Sequence, residues 1–182
     1  MRLAPIFGRA PVDRVASDLY LALVEQARQP QFYGPSSVPD TLDGRFEMIV
    51  LHAYVVIRRL RDLGEDGGKI AQSLFDQMFA DMDRNLREIG VGDLSVGKQV
   101  KRMAKRFYGS VEAYDRGLEA GDDDALSTAL ERNVLGRDGE PTQVARALAL
   151  YLKREIEALE NGADRELLSG RVGFGPPAEI SV

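Results

Sequence analysis

Gln72–Val96 reads QSLFDQMFADMDRNLREIGVGDLSV, and the rest of the chain is organised around it. Leu74, Phe75, Met78, Phe79, Met82, Leu86 and Ile89 recur at the spacing of one face of an α-helix. Asp76, Asp81, Asp83, Arg84, Arg87 and Glu88 fill the gaps with charge. Gly90 stops the pattern, as glycine does where the backbone must turn left-handed after a helix. Ser95 is placed to cap the helix that follows. An apolar face with two methionines inside a charged rim suits the holding of another polypeptide, because methionine repacks around different apolar shapes.

Helical periodicity continues on both sides of this stretch. Val12, Val15, Ala16, Leu19, Leu23 and Val24 form an apolar stripe from Pro11 to about Arg28. QPQFYGPSSVPD then carries three prolines and a glycine, which exclude helix. Its pair Phe32 and Tyr33 either anchors the loop to the core or lines a binding groove. Asp40 or Thr41 caps a second helix reaching about Leu63. It is apolar almost all round, as expected of a central helix with neighbours on several sides. His52 lies inside its apolar run and reads as a core histidine.

The third helix is expected to start near Lys69. Asp83 and Arg87, and Arg84 and Glu88, are spaced for pairs along its surface. Asp81-x-Asp83-x-Asn85 resembles the start of a calcium loop. It fails where Leu86 replaces the required glycine and Gly92 the bidentate glutamate.

A fourth helix from Ser95 to Glu119 carries Lys98, Lys101, Arg102 and Lys105 in one basic stripe, extended by Arg106. Val100, Met103, Ala104 and Phe107 lie away from the stripe. A short helix from Ala125 to Leu135, a long amphipathic one from Pro141 to Asn161, and a last turn from Arg165 to Leu168 complete the pattern. The fold class is therefore all-α, a single-domain bundle of about six helices. Residues 1–10 form a lead-in, 11–169 the helical domain and 170–182 an extended Gly/Pro-rich tail.

Composition bounds the chemistry. The 182 residues include no cysteine and one histidine, which removes thiolate catalysis, disulfides, and Cys or multi-His metal sites within one chain. A net charge of −5 disfavours non-specific nucleic-acid binding by the whole molecule, and no DNA partner is expected. The longest apolar run, Met48 to Ile57, is about half a membrane-spanning helix. A helical enzyme using Asp76, Asp83 or Asp93 as acid or base would need a nucleophile, phosphate loop or metal set that the sequence does not offer. No catalytic residue, metal or cofactor is expected, and His52 is not expected to bind haem.

Three segments then carry a resemblance: QARQPQFYGPSSVPDTLDGRFEMIVLH, LFDQMFADMDRNLREIGVGDLSVGKQVKRM and FYGSVEAYDRGL. Together, over roughly residues 11 to 155, they resemble the ubiquinol–cytochrome c chaperone family, which acts in assembly of the cytochrome bc1 complex. That resemblance implies a non-enzymatic chaperone that binds newly made cytochrome b and assists its maturation. Mitochondrial members of the family also work with a small partner protein near the ribosomal tunnel exit, which makes the ribosome a second candidate partner. The short lead-in resembles a bacterial-type member rather than one with a mitochondrial targeting extension, which implies a cytoplasmic location, at most peripheral to the inner membrane.

On this reading Phe32, Tyr33, Met78, Phe79 and Met82 form the client surface. Asp81, Asp83, Arg87 and Glu88 form a partner-binding rim. Lys98, Lys101, Arg102, Lys105 and Arg106 form a basic patch, and the alternative function is a ribosome- or RNA-associated module acting through it.

Overall fold

The computed structural model describes residues 9–34 and 37–177. The lead-in before Arg9 and the tail beyond 177 lie outside the described residues. Among the described residues, seven α-helices follow in order: α1 (Arg9–Ala27), α2 (Leu42–Asp62), α3 (Gly64–Glu88), α4 (Asp93–Glu119), α5 (Asp123–Asn133), α6 (Gln143–Glu160) and α7 (Asp164–Leu167). A 3-10 turn, Pro30–Phe32, lies in the loop between α1 and α2. The all-α bundle expected from periodicity is the observed architecture.

α2 is the axis of the molecule. It packs against α1, α3, α4 and α6. Its residues from Phe46 to Ile57 are all buried, which is why no polar stripe breaks that run. The Thr41 hydroxyl caps it, accepting from the Gly44 N–H at 3.1 Å.

α3 begins at Gly64, five residues before the expected Lys69. The run GEDGG reads as a breaker, yet Gly64, at φ +73°, turns the chain directly from α2 into α3 without a loop. Gly67 then sits so close to the end of α2 that a Cβ there would meet the Leu60 carbonyl oxygen at 2.1 Å. Glycine is retained for that close approach, at the usual cost in helix propensity.

α4 begins at Asp93, so Ser95 lies within the first turn and is not the cap; Gly92 occupies that position without a side-chain bond. Asp93 places negative charge at the positive end of the helix instead. α3 and α4 form an antiparallel hairpin closed at Gly90, whose φ of +88° matches the expected stop.

Residues 171–177 of the tail form no helix or strand, and the tail is pinned to the body. Gly175 N–H donates to the buried Glu155 at 3.0 Å, and its carbonyl accepts from Gln26 at 2.8 Å. Arg154 also donates to the Pro176 carbonyl.

Candidate functional site

The stripe Leu74, Met78, Met82 and Leu86 on α3 is buried, facing the helices with which α3 packs. One position further round the helix, Phe75 and Phe79 point into the crease between α3 and α4 and stay half-buried. They form an i,i+4 aromatic pair with ring centroids 4.7 Å apart. Phe107 of α4 is buried beneath them, edge-on to Phe75 at 5.3 Å and to Phe79 at 6.1 Å. Tyr108 stands at the margin, 5.6 Å from Phe75 and 55% exposed. Four aromatic rings thus run from the core to solvent along one crease. Aromatic rings bury large area with little side-chain entropy to lose, and tyrosine tolerates a wet edge.

The structure corrects the expected client surface. Phe32, Met78 and Met82 are core residues and present nothing to a client. The methionines fall on the buried stripe because their i,i+4 spacing continues Leu74 and Leu86. Phe32 packs edge-on to His52 and Tyr151, at 5.6 and 5.2 Å. Tyr33 is half-buried; its hydroxyl donates to the Ala27 carbonyl at 2.5 Å and Arg45 stacks over its ring. The loop pair is therefore an anchor. Phe79 is the one member that opens onto the crease, joined there by Phe75 and Tyr108. Apolar periodicity includes Phe75 but not Tyr108. Its signal was its position three residues after Lys105 on the exposed face of α4.

The rim residues divide. Asp81 accepts from the Tyr20 hydroxyl at 2.8 Å and from Asn85 at 3.0 Å, so it clamps α1 to α3 rather than edging a site. Burial and that carboxylate together push the Tyr20 hydroxyl far above its usual range. Asp83 and Arg87 form the expected pair at 2.7 Å, and Arg87 also holds Asp93 across the hairpin turn. Arg87 keeps the Asp83 carboxyl below its ordinary range, opposite to the shift a general acid needs. Arg84 pairs with Asp81 at 3.7 Å instead of with Glu88, which is exposed.

The basic patch also needs correction. Lys98, Lys101, Arg102 and Lys105 are exposed and make no ion pair among the described residues. Arg106, one position beyond Lys105, turns inward. It bonds the buried Glu47 at 2.7 Å and Asp43 at 2.6 Å, so its charge is spent inside the fold.

His52 is a structural residue. Its Nδ1 lies 2.7 Å from the Met48 carbonyl and its Nε2 2.8 Å from the Tyr151 hydroxyl. The Tyr151 oxygen in turn accepts from Gln26 at 3.0 Å. The Met48 carbonyl can only accept, so Nδ1–H donates, and in a neutral ring Nε2 accepts from the Tyr151 hydroxyl. Full burial agrees, lowering the imidazole to about 4. Both ring nitrogens are occupied, and Phe174 of the tail closes over the ring at 5.1 Å. Replacing Tyr151 by Phe leaves His52 Nε2 without its partner, while the Gln26 amide keeps the Gly175 carbonyl. The expected loss is about 1–3 kcal/mol of stability, read from denaturant unfolding.

The model of the family described as ubiquinol-cytochrome C chaperone matches residues 36–174. The chain is 26% identical over 175 residues to the ubiquinol-cytochrome-c reductase complex assembly factor 1 of Xenopus laevis, covering 95% of this chain and 86% of that protein. It is 30% identical over 150 residues to the mitochondrial protein CBP3 of Saccharomyces cerevisiae, covering 80% of this chain but only 44% of the yeast protein. The crystal structure of the Cbp3 homolog from Brucella abortus superposes with a TM-score of 0.78 at 35% identity, covering 91% of both chains. The matched family segment includes α3, α4 and their crease, and ends at Phe174, the tail residue that closes over His52.

Proposed function

The chain belongs to the ubiquinol–cytochrome c chaperone family, and we propose that it assists assembly of the cytochrome bc1 complex by holding newly made cytochrome b at the α3–α4 crease. Assembly of the ubiquinol–cytochrome c reductase complex is what the name of the Xenopus relative describes. Cytochrome b as client rests on the family resemblance. The observation that supports this site is the solvent-open aromatic crease of Phe75, Phe79 and Tyr108.

A membrane protein awaiting its partners exposes apolar helix faces that water penalises. An apolar helix laid along the crease would cover these rings in the manner of a helix in a groove. The rigid α3–α4 hairpin, backed by Phe107, holds them in place without the client having to order them. No helix among the described residues is long and apolar enough to cross a membrane.

Deleting the gene in its host should lower the amount of assembled bc1 complex and of spectroscopically detected b-type haem, with both restored by the parent chain. Normal bc1 content in the deletion strain would contradict the proposal.

A further inference from the structure

The exposed face of α4 carries a second pattern that the aromatic crease does not use. At 100° per residue, Leu94, Lys98, Lys101 and Lys105 fall within an arc of about 60°, with Arg102 beside them. Leu94 is 100% exposed, and Ile89, just before the hairpin turn, is 63% exposed. Nothing among the described residues covers either side chain. Residues 94–111 contain no acidic residue, although the chain as a whole carries −5. Lys98, Lys101, Arg102 and Lys105 are all exposed and make no ion pair among the described residues. Of the acids nearest in sequence, Asp93 is held by Arg87, Glu112 is paired with Arg116 and Glu88 is exposed.

Two bare aliphatic side chains at a hairpin tip, followed by a row of unpaired cations, match a particular kind of surface. A bilayer with anionic headgroups offers apolar depth at the tip and negative charge along the row. Lysine stems lie on the apolar layer while their ammonium groups reach the phosphates. RNA would satisfy the cations but gives Leu94 and Ile89 no favourable contact.

We infer that the α3–α4 hairpin docks on an anionic lipid bilayer, with Ile89 and Leu94 inserted and Lys98, Lys101, Arg102 and Lys105 on the headgroups. This does not rest on the identity of the client. It places the crease, whose margin Tyr108 lies on α4 one turn beyond Lys105, beside the membrane surface.

The chain has no tryptophan, so Leu94→Trp is a single-site reporter. Its emission should shift to the blue with vesicles of mixed phosphatidylcholine and phosphatidylglycerol, and not with phosphatidylcholine alone. Leu150→Trp, on the exposed face of α6, should not respond. Flotation of the otherwise unchanged chain with the anionic vesicles should weaken as salt rises. It should fall at least about a hundredfold when Lys98, Lys101, Arg102 and Lys105 are all changed to Gln, since each surface cation contributes about fivefold. All four positions are exposed, and an unchanged thermal melt would confirm that the variant folds. No shift at Leu94→Trp, equal flotation of the four-fold variant, or binding to ribosomal RNA without binding to vesicles would each overturn the inference.

Discussion

Changing Phe79 and Tyr108 together to Ser should reduce capture of cytochrome b by at least about a hundredfold. Aromatic anchors that an interface buries commonly cost about 2 kcal/mol or more each when truncated, and each 1.4 kcal/mol is a factor of ten. Tyr108 is the cleaner position, because its ring is largely in solvent and its loss leaves Phe107 in the core. Phe79 is half-buried against Phe75 and Phe107, so its replacement also lowers stability. Tyr108→Ser alone separates the two effects. It should weaken capture by about tenfold or more while leaving the melting temperature nearly unchanged. Capture is read by co-purification of cytochrome b with the tagged chain. Undiminished capture by the double variant, with its fold intact, would exclude the crease as the client site.

Glu47→Gln should become progressively more stable than the parent as pH rises, by about 2–3 kcal/mol between pH 5 and pH 8. Glu47 is buried on α2, bonded by Arg106 at 2.7 Å and by Ser110 at 3.3 Å. Burial outweighs the attraction of Arg106 and raises the carboxyl from 4.5 to about 7. Asp43, which shares Arg106, adds to the rise. The folded protein therefore binds this proton more tightly than the unfolded chain. That contribution is fully present below about 4.5, is lost as pH climbs towards 7, and is absent above it. Gln keeps an acceptor for Arg106 and does not ionise, so the difference between variant and parent isolates this one group. Denaturant unfolding at the two pH values measures it. A difference independent of pH would mean that Arg106 keeps Glu47 ionised throughout.

Much of this architecture was legible in the sequence, for identifiable reasons. The unbroken apolar run of α2 could belong only to a helix with neighbours on several sides. Gly90 marked the hairpin turn because only a left-handed residue closes it there. Asp83 and Arg87 met as their i,i+4 spacing required.

What escaped the sequence depended on tertiary approach. The GEDGG segment reads as a break, and only the passage of Gly67 against Leu60 makes it helix. Met78 and Phe79 are adjacent in one apolar pattern. Periodicity cannot say that the first faces the core and the second the crease; the packing of α4 decides it. Arg106 looked like the next member of a basic stripe, but one further residue rotates a helical side chain by about 100°, here onto Glu47. The tail has no periodicity at all, so its hold on Gln26 and Glu155 left no trace in the pattern.

If the α3–α4 crease holds the client, a probe placed in it should capture cytochrome b. The most direct test places a photo-crosslinking residue at Tyr108, where the side chain is exposed, in living cells. Light-dependent products are then identified by mass spectrometry. Cytochrome b should be captured at Tyr108 and not from a crosslinker at exposed Leu150 on α6. Capture of only a second copy of this chain, or equal capture of cytochrome b from both positions, would contradict this placement of the client.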